Sequence, residues 1–404
     1  MYSSRIVSWS VWFIISIFYA YQYILRIIPN VMMHDLMNQF NISATIFGQF
    51  SGVYYIGYAL MHLPIAFLLD RYGTKFVMTI CILLTVLGLL PIIFTNNWTL
   101  LLAGRILIGI GSSAAILGIL KIVRIAFDEK MFTTMLSAAV VIGLTGGIYG
   151  NGPILYMSNT LGYKTVIEIF ALIGIVLAFI TYIIIPKEPS YTKKQGIIDN
   201  IKAIFANYKV VAICCCGGLM IGPLEGFSDA WGNAFLTQIY NLEANTTSYF
   251  LSMIFIGTFI GLPVLSYIAD KTQSYLASSI VAGTCMFTIF VAMLYKILSV
   301  NGIAIGLLLV GACSAYQSLI IYKASTYVPE HLKGLTNGIA NMIMMSFGYG
   351  FHSCIGAIAS MSTNSYNSLI YGVSTIPIAL FIGVIGLLLL VYQERRILTV
   401  SSAS

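Results

Sequence analysis

A chain of 404 residues that is 59% hydrophobic and only 8% charged, with a mean hydropathy of +0.93, cannot expose that composition to water as a globular domain. Its formal net charge of +7 is carried by bases dispersed singly among apolar runs, with no basic patch interleaved with aromatics, which excludes the usual nucleic-acid surface. The fold class that remains is an all-α polytopic membrane protein.

Apolar runs fall at 7–28, 45–69, 76–95, 98–122, 132–157, 164–185, 209–239, 246–269, 276–297, 302–327, 333–360 and 367–392, each near or above the ~20 residues that cross a bilayer as a helix. Twelve transmembrane helices are therefore predicted. Residues 1–5 lead straight into the first run with no small-residue cleavage site, so that span is read as retained. It carries Tyr19, Gln22, Tyr23 and Arg26 at spacings of three and four, which puts them on one helix face as candidate substrate contacts. Arg26 either looks into a cavity or snorkels to the outer interface. The second run adds Tyr54, Tyr55, Tyr58 and His62. Between the second and third runs the connection is only a few residues long, yet it holds Asp70, Arg71, Gly73 and Lys75. Arg105 lies in the fourth run, roughly 10 Å below its outer end at ~1.5 Å of rise per residue. A permanent charge at that depth needs either a substrate carboxylate or a lining of backbone carbonyls.

The fifth run holds Gly143, Gly146, Gly147, Gly150 and Gly152-Pro153, read chiefly as close helix packing. The longest polar interruption, 186–208, follows the sixth run and divides the chain into 1–186, a linker at 187–208, and 209–404. In the seventh run Glu225 and Asp229 stand well inside apolar sequence, four residues apart, and Gly222-Pro223 predicts a local break beside them. A carboxyl group at that depth either carries a coupling proton or pairs structurally with a neighbouring helix. Gln317 in the tenth run is a further candidate substrate contact, with Asn337, Asn341 and His352 in the eleventh ranked lower still as intramembrane polar groups. The seven cysteines have no metal-ligand spacing with His and read as small buried hydrophobes, so neither a metal nor a disulfide framework is expected.

An even number of spans puts both termini on one side. All of the 20 Lys and Arg except Arg26, Lys164, Lys296 and Arg105 fall at that side's loops, which the positive-inside rule makes cytoplasmic. Two internal echoes accompany the six-and-six division. Asp270-Lys271 follows the eighth run as Asp70-Arg71 follows the second, and Gly306 to Gly311 in the tenth aligns with Gly104 to Gly109 in the fourth. A duplicated pair of six-helix bundles with a site between the copies accounts for both.

The stretch Asp70-Arg71-x-Gly73, with Lys75, resembles the Gly-x-x-x-Asp-Arg-x-Gly-Arg/Lys-Arg/Lys signature of the major facilitator superfamily. Ala66 replaces the leading Gly and Thr74 one of the bases. Arg105 followed by Gly109 and Gly111 is similar to that family's fourth-helix pattern, so the resemblance runs along essentially the whole chain. It implies two pseudo-symmetric six-helix bundles working by alternating access, with Asp70, Arg71, Gly73 and Lys75, echoed by Asp270, as a cytoplasmic gate.

No phosphate-binding Gly-rich Lys-Ser/Thr loop, nucleophile elbow or metal cluster is present in the sequence, so neither an enzyme nor a bound cofactor is expected, and a gradient must supply the energy. The leading expectation is a proton-coupled importer of a small polar solute, monomeric, in the inner membrane of a bacterium with both termini cytoplasmic. Its partners are the solute, a proton carried by Glu225 with Asp229, and the lipid bilayer. Arg26 and Arg105 in one half against Glu225 and Asp229 in the other suit a zwitterion such as an amino acid or short peptide; the bases alone suit an organic anion. Two alternatives stand beside this: a proton-driven exporter of amphipathic compounds, and a membrane sensor that kept a transporter fold and lost turnover.

Overall fold

The computed structural model describes residues 5–187, 197–361 and 365–401, and among them the regular structure is helical throughout. Lys193 and Lys194 of the predicted linker lie outside the described residues. The helices are α1 (Arg5–Val31), α2 (Met33–Phe40), α3 (Ala44–Tyr72), α4 (Thr74–Phe94), α5 (Trp98–Ser112), α6 (Ala114–Ala126), α7 (Phe132–Tyr149), α8 (Gly152–Leu161) and α9 (Tyr163–Ile184), then α10 (Ile197–Ala206), α11 (Tyr208–Gly226), α12 (Gly232–Tyr240), α13 (Ala244–Thr272), α14 (Tyr275–Leu294), α15 (Val300–Ser314), α16 (Tyr316–Ser325), α17 (Lys333–Ala359) and α18 (Ser365–Ser401).

Among the described residues eleven helical spans are long and apolar enough to cross a membrane, and α7 with α8, bent by 43° at their junction, makes a twelfth when taken as one span. Large apolar side chains on their outer faces, such as Leu172, Phe179 and Leu389, are more than half exposed, as lipid-facing positions must be. Several spans are interrupted. α5 passes to α6 at Ser113 and α15 to α16 at Ala315, the same place in each copy of the repeat. The seventh span departs from regular α-helix at 227–231, where a π-helical turn separates α11 from α12. The break predicted at Gly222-Pro223 thus comes a few residues later. Pro223 is accommodated inside α11, and Gly222 lets that helix lie on α17, since a Cβ there would stand 2.6 Å from Cβ of Phe347.

Helix ends follow local chemistry. The side chain of Asn97 accepts from the Thr99 and Leu100 N–H groups to open α5, Asn207 accepts from Lys209 N–H to open α11, and Ser299 from Gly302 N–H to open α15. At the end of α3 the N–H of Gly73 bonds to the Leu69 carbonyl with φ at +81°, a conformation that costs a residue with a Cβ and not glycine.

The residues form two compact units, one of 1–193 with 228–252 and one of 194–227 with 253–404. In the first, α3 and α5 cross so closely that a Cβ on Gly57 would lie 2.4 Å from the Ile106 carbonyl oxygen, and one on Gly109 2.0 Å from that of Tyr54. In the second, Gly257 and Gly311 bring α13 and α15 together in the same way, with Leu308 and Ile254 supplying the carbonyls. Residues 228–252, which linear order puts in the second half, pack in the first unit and bring Asp229 to α1 and α3.

Candidate functional site

Near the end of α1, four consecutive turns are each held by a different neighbour. Tyr19 lies with its ring on Gly143 of α7, where a Cβ would come within 2.3 Å, and edge-on to Tyr23 at 5.2 Å. Gln22, 4% exposed, accepts a hydrogen bond from the Tyr54 hydroxyl at 2.8 Å. Arg26 is 7% exposed, its guanidinium carbon 4.5 Å above the Tyr23 ring and its Nε 3.0 Å from Oδ2 of Asp229. It does not snorkel to the interface. Asn30, one turn further, donates to the Ser228 carbonyl at 3.1 Å, and to Asn151 at 3.4 Å.

Asp229 is fully buried and both of its carboxylate oxygens have partners. Tyr55 donates to Oδ2 at 2.5 Å and Ser228 to Oδ1 at 2.9 Å, in addition to Arg26. The π turn presents this carboxylate. Two residues on, Trp231 is 1% exposed and meets Phe47 of α3 edge-on at 5.7 Å. A charge pair inside a membrane-spanning bundle is costly to desolvate and holds together only when its partners are this complete.

Arg105, 3% exposed, sends NH1 to the Leu25 carbonyl and NH2 to the Arg26 carbonyl, both at 2.7 Å. Its guanidinium faces the rings of Tyr54 at 5.0 Å and Phe50 at 5.8 Å. Of the two environments open to it from sequence, the carbonyl lining is the one observed.

Glu225, 8% exposed, belongs to the second unit, where its charge faces Tyr316, and Tyr316 in turn donates to the Gly217 carbonyl at 2.8 Å. Glu225 and Asp229 therefore have different surroundings despite lying four residues apart. Gln317 donates to Asn341 at 3.3 Å.

At the other end of α3, Asp70 has a 79% exposed side chain with Lys121 Nζ at 3.9 Å, and Lys121 also donates to the Leu69 carbonyl. Arg71 lies over Tyr72 and Lys75 over Tyr182. In the second unit Asp270 accepts from the Tyr275 hydroxyl at 2.8 Å. The base equivalent to Lys121, Lys323, meets Glu394 instead, at 3.0 Å. Glu394 also accepts from Tyr327 at 2.6 Å, and together with burial it pushes the Tyr327 hydroxyl well above its usual titration range.

Three residues of the candidate sites are not marked by the sequence. Asn30 and Asn151 are ordinary polar residues in sequence, although Asn30 continues the Arg26 face by one turn. Lys121 reads as a topology marker until the loop is folded beside it.

Residues 11–353 match the family model described as Major Facilitator Superfamily. No curated protein matches the chain in sequence. Among solved structures it is similar to a bacterial homolog of the human lysosomal transporter Spinster in an inward-facing, occupied conformation, at 15% identity and a TM-score of 0.73, covering 94% of this chain and 96% of that one. It is likewise similar to the nucleoside transporter NupG, at 12% identity and 0.78 over 94% and 99% of the two chains. A D-xylose-proton symporter aligns at 14% identity and 0.72 over 94% and 97%. At these identities what is shared is the fold.

Proposed function

The chain belongs to the major facilitator superfamily, and from that premise we propose that it takes up a small carboxylate-bearing solute, an amino acid, short peptide or organic anion, in symport with protons. The observation that carries the reading is the buried Arg26–Asp229 pair served by Tyr55. It is a charged pair that a solute can exchange with. A zwitterion offers both counter-charges at once: its carboxylate takes the place of Asp229 on Arg26 while its ammonium takes the place of Arg26 on Asp229, so that no buried charge is stranded during the exchange. Tyr19, Gln22 and Tyr23 on the same face of α1 would line the solute.

Glu225 is the proposed proton carrier, since it is a buried carboxyl group, 8% exposed, at membrane depth in the second unit, where a group that changes charge is costly unless it has a function. That a proton symporter shares the fold is compatible with this coupling. In the proposed cycle Asp70, Arg71, Gly73 and Lys75, with Asp270, form the cytoplasmic gate, both termini face the cytoplasm, and the protein works as a monomer in a bacterial inner membrane.

The test is uptake into proteoliposomes under an imposed pH gradient, acid outside, with labelled amino acids, dipeptides, organic acids and sugars. A thermal-shift screen of the purified protein against the same panel precedes it, because a ligand that binds the folded state raises its apparent stability. Concentrative, gradient-dependent uptake of a carboxylate-bearing solute is expected. Accumulation of sugars alone would overturn the substrate class, and uptake indifferent to the gradient would overturn the coupling.

A further inference from the structure

We propose that Arg105 is a positioning residue that replaces the backbone amide missing at Pro29, and thereby sets the turn of α1 from which Arg26 reaches Asp229. The proposal rests on Arg26 being part of the site argued above, and it removes Arg105 from the groups that would hold the solute.

In an α-helix the carbonyl of Leu25 accepts from the N–H of residue 29. Residue 29 is proline, which has no N–H and whose ring crowds that carbonyl. α1 nevertheless runs on to Val31, and Met32 N–H already bonds to the Ile28 carbonyl at 3.1 Å, so the ladder resumes directly after the gap. Leu25 is 1% exposed, which leaves water no access to the orphaned oxygen. NH1 of Arg105 fills the place at 2.7 Å, and NH2 reaches the next carbonyl, that of Arg26, at the same distance. Two nitrogens in one rigid plane, each bound to one of two successive carbonyls, define the orientation of that turn as a single point charge could not.

Arg105 is itself built in. Its neighbour Gly104 lies on the carbonyl of Gly88 and Gly109 on that of Tyr54, with hypothetical Cβ atoms 2.5 and 2.0 Å from those oxygens, so α5 cannot slide relative to α3 and α4. Swinging the guanidinium to a solute would strip the Leu25 carbonyl of the donor it has in this structure. Arg26 follows Leu25 directly, and its side chain makes the 3.0 Å contact to Asp229. The clamp therefore acts on the site through Arg26.

Trp231, two residues beyond Asp229 and 1% exposed, reports whether that contact is made. The experiment uses the full-length protein with Trp9, Trp12 and Trp98 changed to Phe, and measures quenching of the remaining fluorescence by acrylamide. Arg105→Gln is expected to lose the protection of Trp231, and Arg105→Lys to lose it as well, because one ammonium cannot copy the two-pronged contact. Pro29→Ala restores an amide to the Leu25 carbonyl, so Pro29→Ala/Arg105→Gln should regain the protection that Arg105→Gln lacks. A double variant as accessible as Arg105→Gln alone, or an Arg105→Lys variant protected like the parent, would overturn the proposal. Should Arg105→Gln fail to fold, recovery of folding in the double variant supports the clamp and its absence refutes it. No solute enters the measurement, so a failure of the transport reading leaves the result interpretable.

Discussion

Replacing Asp229 by Asn keeps the shape of the side chain and one oxygen that can still accept from Tyr55, turns the oxygen that accepts from Ser228 into an NH2 group, and removes the charge opposite Arg26. At the observed 3.0 Å separation, an effective dielectric constant of about 20 puts the lost attraction at roughly 5–6 kcal/mol before desolvation is counted. Experience with buried pairs brings the net cost of removing one partner to about 3–5 kcal/mol, because the other charge stays buried without its counter-charge. Arg26→Gln should cost a similar amount for the complementary reason. The double variant leaves two neutral amides, so it should be more stable than either single variant. Thermal unfolding of the purified proteins in detergent, followed by intrinsic fluorescence, gives the ranking. Losses in the double variant equal to the sum of the two single losses would show that the residues do not act as a pair, and the exchange mechanism would fall with them.

Asp70→Asn removes the carboxylate that Lys121 approaches and, on the proposed gate reading, in which that contact belongs to one of two alternating states, should sharply slow transport while leaving ligand-induced thermal stabilisation intact; unchanged turnover would refute the gate. Glu225→Gln should still exchange solute across a vesicle membrane but no longer concentrate it, and continued accumulation in response to a pH gradient would move the proton site elsewhere. Tyr327 has its folded-state titration raised by burial and by Glu394, so its contribution to stability should be constant below the unfolded tyrosine value of about 10 and fall only as pH rises beyond it. The stability difference between wild type and Tyr327→Phe, measured by denaturation from neutral to strongly alkaline pH, should follow that course. Gly109→Ala drives a methyl group into the Tyr54 carbonyl and should cost at least ~1–3 kcal/mol, with loss of the Tyr54–Gln22 hydrogen bond as α3 is pushed away; a variant as stable as wild type would contradict the close crossing.

The helices were legible because the bilayer imposes a single rule, that every backbone polar group at depth be satisfied within its own segment, and apolar runs of the right length obey it. Charged residues at depth were legible for a related reason: Arg26, Arg105, Glu225 and Asp229 stand out against an apolar background wherever they fall. What linear order could not supply was which groups meet. Glu225 and Asp229 are one turn apart in a regular helix, yet a π turn intervenes and each finds its own surroundings. Pro29 looks like a kink in one helix until the donor that completes it arrives from a helix 80 residues downstream.

The internal repeat separates scaffold from chemistry. Gly57 and Gly109 have counterparts in Gly257 and Gly311 about 200 residues on, and each pair brings its own helices into backbone contact. Asp70 and Lys121 are matched in kind by Asp270 and Lys323, although Lys323 has turned to Glu394. The charged residues of the candidate site have no such twin. The place of Arg105 is taken in the second copy by Leu307, which is fully buried. Repetition retains what both units need in order to pack, and the copies part at the charged positions of the candidate site. Installing Arg at 307 should therefore put a charge at a fully buried position and destabilise the protein by several kcal/mol, whereas replacing Arg105 by Leu should be harmful only while Pro29 remains.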